Sequence, residues 1–134
     1  MKINKLEEIA DASKRKVLRE IYSSSIMIAN CQIDKLVYLG DKIEIGGYIT
    51  VPVNIDKYGF MKDFYAYYRI ELDGVAEFRI TSRYTFSQFT LVKREEFYIL
   101  EAFDGLEIAA KDVKLNSITS TWCKKLDNRA YYDM

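Results

Sequence analysis

Residues 64–83, FYAYYRIELDGVAEFRITSR, hold the reading on which the fold turns. Phe64, Ala66, Tyr68, Ile70 and Leu72 alternate with Tyr65, Tyr67, Arg69 and Glu71; after Asp73-Gly74, Ala76, Phe78 and Ile80 alternate with Glu77, Arg79 and Thr81. Period-two alternation marks half-buried strands, and an Asp-Gly step between two such arms predicts a β-hairpin. Parity selects its loop. The apolar positions are even on both arms, so a two-residue loop would turn one apolar set to the wrong face, whereas the three-residue loop Leu72-Asp73-Gly74 pairs even with even. Gly74 then takes the left-handed position of a bulged turn. Ile70 faces Ala76, Tyr68 faces Phe78 and Ala66 faces Ile80 on one side, while Arg69 faces Glu77 and Tyr67 faces Arg79 on the other. Moving the loop forward by one residue would oppose Glu71 to Glu77 and Arg69 to Arg79, which like-charge repulsion disfavours.

The same logic applied to Asp104-Gly105 predicts a second hairpin over Phe97 to Lys111, with Ala102, Leu100 and Tyr98 paired to Leu106, Ile108 and Ala110. It opposes Glu101 to Glu107, and Arg94 to Phe103 has enough helix formers to be a short helix instead. Thr85 to Val92 and Val113 to Trp122 read as further strands. Lys42 to Asn54 reads as a strand bent by Gly46-Gly47, and Pro52, which has no N–H to donate, requires it to end early or lie on a sheet edge.

The N-terminal segment is helical in pattern. Ile3, Leu6, Ile9, Ala10, Val17, Leu18 and Ile21 approximate an amphipathic stripe, Asn4 with Glu7 suits a first-turn cap, and Lys14, Arg15, Lys16 and Arg19 complement the dipole at the far end. Ser23-Ser24-Ser25 then breaks or kinks it. Ile26 to Leu39 fits a second helix through Ile26, Ala29, Asn30, Ile33 and Val37, although Ile26-Met27-Ile28 would also suit a buried strand. Together these elements predict a single α+β domain over residues 1–134, with one or two N-terminal helices packed on a curved, mainly antiparallel sheet of about five to six strands. Residues 127–134 are read as a mobile tail.

Composition excludes more than it assigns. With 49% hydrophobic and 30% charged residues the chain belongs to the folding class. Its 20 basic and 20 acidic residues cancel, which removes the long-range field that drives sequence-independent binding to nucleic acid. No apolar run is long enough to span a bilayer, and the start at Met1 to Glu8 has no signal-peptide core, so the expected compartment is the cytoplasm. Cys31 and Cys123 are read as small buried hydrophobes rather than a disulfide framework. Fifteen isoleucines, 13 lysines against 7 arginines, and 11 tyrosines suit an A/T-rich coding sequence of the kind many bacteria and their phages carry.

The chain has no histidine, which removes the ordinary general base near neutral pH, the triads that use it and most catalytic zinc sites. Gly46-Gly47 lacks the spacing of a phosphate loop. Catalysis would fall to carboxylates, of which Asp104, Glu107 and Asp112 are closest in sequence, but turn and strand roles account for each; Cys31 has no partner base. No catalytic residue, metal site or cofactor is assigned, and the chain is read as a non-enzyme.

The positive signal is aromatic. Tyr65, Tyr67, Arg69, Arg79 and Arg83 project from one face of the expected first hairpin, and tyrosine and arginine are the residues enriched at protein contacts. The first expectation is therefore a protein-interaction module, of the kind a phage or mobile element uses as a small inhibitor of a host protein. A small-molecule binder with an aromatic pocket between sheet and helix is the second, and stacking of single-stranded nucleic acid on the same tyrosines the third. Exposed aromatic faces and strand edges also suit a homodimer. Against all of these stands the reading that a second layer, such as the N-terminal helix, covers the face and makes its tyrosines ordinary packing.

Overall fold

Alternation governs most of the chain, and a computed structural model, which describes residues 1–21, 26–54, 61–81, 88–102 and 105–122, turns it into seven antiparallel strands. They are β1 (Lys2–Ile3), β2 (Gln32–Leu39), β3 (Lys42–Asn54), β4 (Met61–Ile80), β5 (Phe89–Arg94), β6 (Phe97–Ala102) and β7 (Leu106–Trp122), in the spatial order β1-β5-β6-β7-β4-β3-β2. Among the described residues one α-helix, α1 (Ala12–Ile21), accompanies them with two short 3-10 turns, Leu6–Ile9 and Ile28–Asn30. The α+β class holds, and the sheet has more strands than the five or six expected.

The largest correction concerns residues 64–83. Asp73-Gly74 does not turn the chain: β4 runs through it as one strand of 20 residues, paired with β3 on one side and β7 on the other. Gly74 does adopt the left-handed conformation, at φ 64°, but inside a ladder: Val75 keeps its place opposite Ala110 of β7 and donates its N–H to the Asp41 carbonyl at 2.8 Å, and the register with β7 shifts only beyond it, between Val75 and Glu77. The expected pairs of Arg69 with Glu77 and Tyr67 with Arg79 are absent; Arg69 lies between Gly46 and Ser117, and Glu77 beside Ala109. From Phe64 to Asp73 two flanking strands satisfy the backbone groups on both sides of β4, and β7 carries the pairing on past Gly74, whereas a hairpin would satisfy one side of each arm.

The second Asp-Gly hairpin forms as read. Tyr98 pairs with Ala110, Leu100 with Ile108 and Ala102 with Leu106, with Glu101 opposite Glu107, so residues 97–102 are strand rather than helix. The β3 expectation also holds: its pairing with β2 stops at Tyr48, so Pro52 stands where the strand has only β4 beside it among the described residues.

Ile26 to Leu39 is corrected from helix to a 3-10 turn followed by β2. The long N-terminal helix is likewise divided. Ile3 is buried in β1 opposite Leu91, Leu6 and Ile9 are buried in a 3-10 turn, and the Glu8 carboxylate accepts the Asn4 and Lys5 N–H groups at 3.1 and 2.9 Å, displacing the expected cap by one residue. The α-helix proper begins after Asp11, whose Oδ1 accepts the Lys14 N–H at 2.9 Å, a bond that holds this carboxyl below its ordinary range. The predicted break at Ser23-Ser24-Ser25, part of the Thr85 to Val92 strand and the tail at 127–134 lie outside the described residues.

One face of the sheet, the inner face, carries the core. Ile43, Ile45 and Ile49 of β3 meet Leu72, Ile70 and Ala66 of β4, which meet Val113 and Leu115 of β7, and Leu18 of α1 is buried against the same cluster. The sheet rolls up at one end. Gln32, at the start of the last strand in the order, bridges Gln88 beside the second, and the buried Tyr68 donates its hydroxyl to the Gln32 carbonyl at 2.8 Å. Burial pushes the Tyr68 phenol well above its ordinary range. Gly47 permits this closure: a Cβ there would lie 1.7 Å from the Gln32 carbonyl oxygen, an impossible contact.

Candidate functional site

Gly47, which lets the sheet close on its inner side, and its neighbour Gly46 leave a depression on the outer side of the sheet. Gly46 and Gly47 of β3 form the floor of a groove of about 510 Å³, with Asp34, Lys35 and Val37 of β2 along one wall and Tyr67 and Arg69 of β4 with Ser117 of β7 along the other. An irregularity between Ile33 and Lys35 marks the β2 wall, and a second, between Arg69 and Ile70 against β7, marks the opposite side. Where β4 and β7 fall out of step, Asn116 and Ser117 are both half-buried while Leu115 and Ile118 are buried in the core.

The two walls carry different chemistry. Tyr67 is 44% exposed, and its ring lies 6.4 Å from that of Tyr48 on the neighbouring strand. Arg69 is exposed and makes no ion pair among the described residues; a Cβ on Gly46 would lie 3.6 Å from its Cγ, so the glycine leaves room beside the Arg69 stem. This is a planar donor fork and an aromatic face, both presented to solvent over a floor without side chains. On the other wall Asp34 and Lys35 bring one charge of each sign.

Glu44 links the groove to a polar cluster. It stands directly across from Glu71, a like-charge pair, and the Asn116 amide donates to both carboxylates, at 3.3 Å to Glu44 and 2.9 Å to Glu71. Glu71 is only 9% exposed, with the Lys42 and Lys114 ammonium groups at 3.6 and 3.4 Å. The Asn116 hydrogen bond and these cations hold the Glu71 carboxyl down at about 2, against the effect of its burial. Loss of hydration and the neighbouring Glu71 charge push the Asp73 carboxyl up, with Lys42 at 3.7 Å partly opposing them. Every charge in the cluster has a partner within it, so its geometry is that of a clasp across β3, β4 and β7 rather than of a reactive centre.

Of the five residues singled out from the sequence, the structure brings Tyr67 and Arg69 together. Tyr65 lies on the same strand two positions before Tyr67, opposite Thr50 and Thr121. Arg79 is separated from them: it lies on β4 ten residues beyond Arg69, a distance of about 30 Å along an extended strand, and its guanidinium is engaged by the Glu107 carboxylate. The hairpin that would have folded Arg79 back over Tyr67 is not formed. Arg83 lies outside the described residues. The β2 wall and the glycine floor were missed by sequence reasoning, because residues 26–39 read as helix; the Gly46-Gly47 pair was the available signal, since adjacent glycines inside a strand mark a close backbone approach.

Cys31 is fully buried, its Sγ 3.6 Å from the Met27 carbonyl, and burial raises its thiol to about 12, which fits the small-hydrophobe reading. Glu107 and Asp112 are each engaged locally, Glu107 by Arg79 and Asp112 by the Val113 N–H at 2.9 Å, and among the described residues no group of three or more acids or cysteines is placed to hold a metal ion. No helix of the described residues is long and apolar enough to cross a membrane. No family model, curated protein or solved structure matches the chain.

Proposed function

We propose that the chain is a non-catalytic interaction module that docks a partner protein on the outer face of its sheet, centred on the groove over Gly46-Gly47. The observation that carries this reading is the pairing of a half-exposed Tyr67 with an Arg69 that has no carboxylate partner among the described residues. A charged fork with no ion pair among the described residues, beside an aromatic ring, matches the composition of energetic hot spots in protein interfaces. The α-helix packs on the opposite side of the sheet, so it does not cover these two side chains. A host-directed inhibitor is one form such a module takes, and its partner would be a host or cellular protein.

The test compares the wild-type chain with Tyr67→Ala/Arg69→Ala as immobilised baits. A protein retained by the wild type should bind the double variant at least about thirtyfold more weakly, as loss of a hot spot of roughly 2 kcal/mol implies, with the melting temperature unchanged. Equal retention by both, or collapse of folding in the variant, overturns the reading.

The groove volume supports a second reading. About 510 Å³ falls within the range of small-molecule pockets, and a nucleotide-like or apolar ligand would have Tyr67 to stack on and Arg69 to bind an anionic group. Native mass spectrometry of the freshly purified protein distinguishes the two: a retained small mass that the double variant loses assigns the groove to a ligand. Single-stranded nucleic acid is the least favoured occupant, because Asp34 and Glu44 stand beside Lys35 and Arg69 and weaken any local attraction for phosphate.

A further inference from the structure

The sheet has long edges, and only part of them is protected against pairing. Beyond Tyr48 the outer edge of β3 carries Pro52, and β1, at the other end of the order, is two residues long. The first half of β2 has an irregularity at Asp34 and the charge of Lys35. The second half, Leu36-Val37-Tyr38-Leu39, has no charge, no proline and no register shift, and among the described residues no strand pairs with its outer side. It also holds two of the most exposed large apolar side chains, Tyr38 at 56% and Leu39 at 58%, on opposite faces of the sheet. A partner that covers both must approach edge-on, as a strand.

We infer that the chain forms a homodimer by antiparallel pairing of β2 with β2 of a second copy, on a two-fold axis through Val37. Hydrogen-bond direction selects this register. The Gly40-Asp41 turn closes a two-residue hairpin, so Leu39 and Val37 bond inward to Lys42 and Glu44, and Leu36 and Tyr38 point their N–H and C=O groups out from the edge. Centring on Val37 sets each Leu36 against the other copy's Tyr38 and pairs all of those outward groups. It also joins Ile43, Tyr38, Leu36 and Ile45 into an apolar row that crosses the axis on the inner face. Centring on Asp34 or Lys35 would oppose identical charges, and centring on Leu36 or Tyr38 pairs fewer outward groups.

A second copy fits better than an unrelated peptide because the edge complements itself: Leu36 and Tyr38 exchange places across the axis, and Lys35 meets Leu39 rather than another charge. Val37 and Lys35 also line the β2 wall of the groove, but the inference does not rest on the groove reading, whose Tyr67 and Arg69 lie on β4, two strands in from this edge.

Sedimentation velocity of the full chain should show a dimer at working concentration. Tyr38→Pro removes an outward donor and half of the apolar row yet is tolerated at an edge position, and it should give a folded monomer. In a Cys123→Ser background, Val37→Cys should form a disulfide-linked dimer under mild oxidation, because residues opposed on the axis of an antiparallel pair lie about 4.5 Å apart between Cα atoms, within disulfide range. Leu39→Cys, offset from its counterpart by about 13 Å along the strands, should not. The Tyr67→Ala/Arg69→Ala variant should remain dimeric whether or not it loses a partner. A monomer at the highest soluble concentration, a dimer that survives Tyr38→Pro, or cross-linking at residue 39 instead of 37 overturns the inference.

Discussion

Two Asp-Gly steps occur in this chain, and they end in opposite conformations of the backbone path. Around the second step, whose Asp104 lies outside the described residues, the chain reverses between Ala102 and Leu106: the two pair, and the Gly105 N–H donates to the Ala102 carbonyl at 3.1 Å with Gly105 at φ 98°. At Asp73-Gly74 it runs on, with Gly74 at φ 64° inside β4. The dipeptide therefore supplies a left-handed residue in both places and a reversal in only one. What differs is the competition. Each flank of Asp73 has a strand waiting, with Lys42 of β3 on one side and Asp112 of β7 on the other, and Lys42 also pairs with the Asp73 carboxylate. Local turn preference is worth a fraction of what two rows of backbone hydrogen bonds contribute, so the continuous strand wins.

That contrast predicts unequal responses to insertion. Two glycines placed between residues 104 and 105 lengthen an existing loop and should cost no more than about 1 kcal/mol. The same insertion between Asp73 and Gly74 throws one of the two parts of β4 out of register with β7, which pairs with both, and should cost more than ~4 kcal/mol, measured by denaturant unfolding. If the second insertion is tolerated like the first, β4 is two strands joined at a hinge, and the distinction drawn here fails.

The polar clasp beside Asp73 gives a smaller effect with a definite pH window. The folded Glu71 carboxyl is held at about 2, below its ordinary 4.5, so its contribution to stability is complete above pH 4.5 and is lost as pH falls toward 2. The Asp73 carboxyl is shifted the other way, so its protonation on acidification favours the folded state and offsets part of that loss. Glu71→Gln keeps the hydrogen bond to Asn116 and removes the charge. Its unfolding free energy should be lower than that of the wild type at neutral pH, with the difference closing between pH 4.5 and 2. A constant difference across that window would show that the clasp does not depend on the Glu71 charge.

The smallest effect belongs to a third turn, which has no Asp-Gly. β5 and β6 are joined through Glu95-Glu96, with Glu95 at φ 57°, a conformation that costs a non-glycine residue roughly 1–2 kcal/mol. Glu95→Gly relieves that strain but adds backbone freedom to the unfolded chain, which offsets part of the relief, for an expected net gain of about 0.5 kcal/mol. A loss of stability would mean that the Glu95 side chain contributes more to the turn than its backbone conformation costs.

Legibility varied along the chain for identifiable reasons. The β6–β7 hairpin was readable down to its register because its contacts are local and its parity allows one loop length. In β4 the same parity argument was sound but incomplete: even-numbered apolar positions on both sides of Gly74 describe a three-residue hairpin and equally a strand that does not stop. Ala66, Tyr68, Ile70, Leu72 and Phe78 do pack in or against the core, as the alternation requires, whereas Ala76 and Ile80 beyond Gly74 are exposed and Val75 packs inward. Ile26 to Leu39 misled because Ile33 and Val37 fall at helical spacing by coincidence. The irregularity at Asp34 places Ile33 in the core and Val37 on the outer groove wall.

The candidate site followed the fold. Tyr67 and Arg69 were visible because they alternate with buried neighbours on one strand, which any sheet preserves. Arg79 was grouped with them only through the hairpin, and it left the group with it.

The sequence by itself determined which residues face the core and which face outward from Ala66 to Leu72 of β4 and across the β6–β7 hairpin, since side chains alternate with a period set by backbone geometry and burial rewards one choice of face. It also determined that no histidine chemistry is available. Only the tertiary structure decided which strands lie side by side, because the hydrogen-bonding groups of the backbone are the same at every residue and carry no address. The groove exists for that reason alone: Asp34, Gly46, Arg69 and Ser117 come from four separate strands, and nothing local to any one of them specifies the other three.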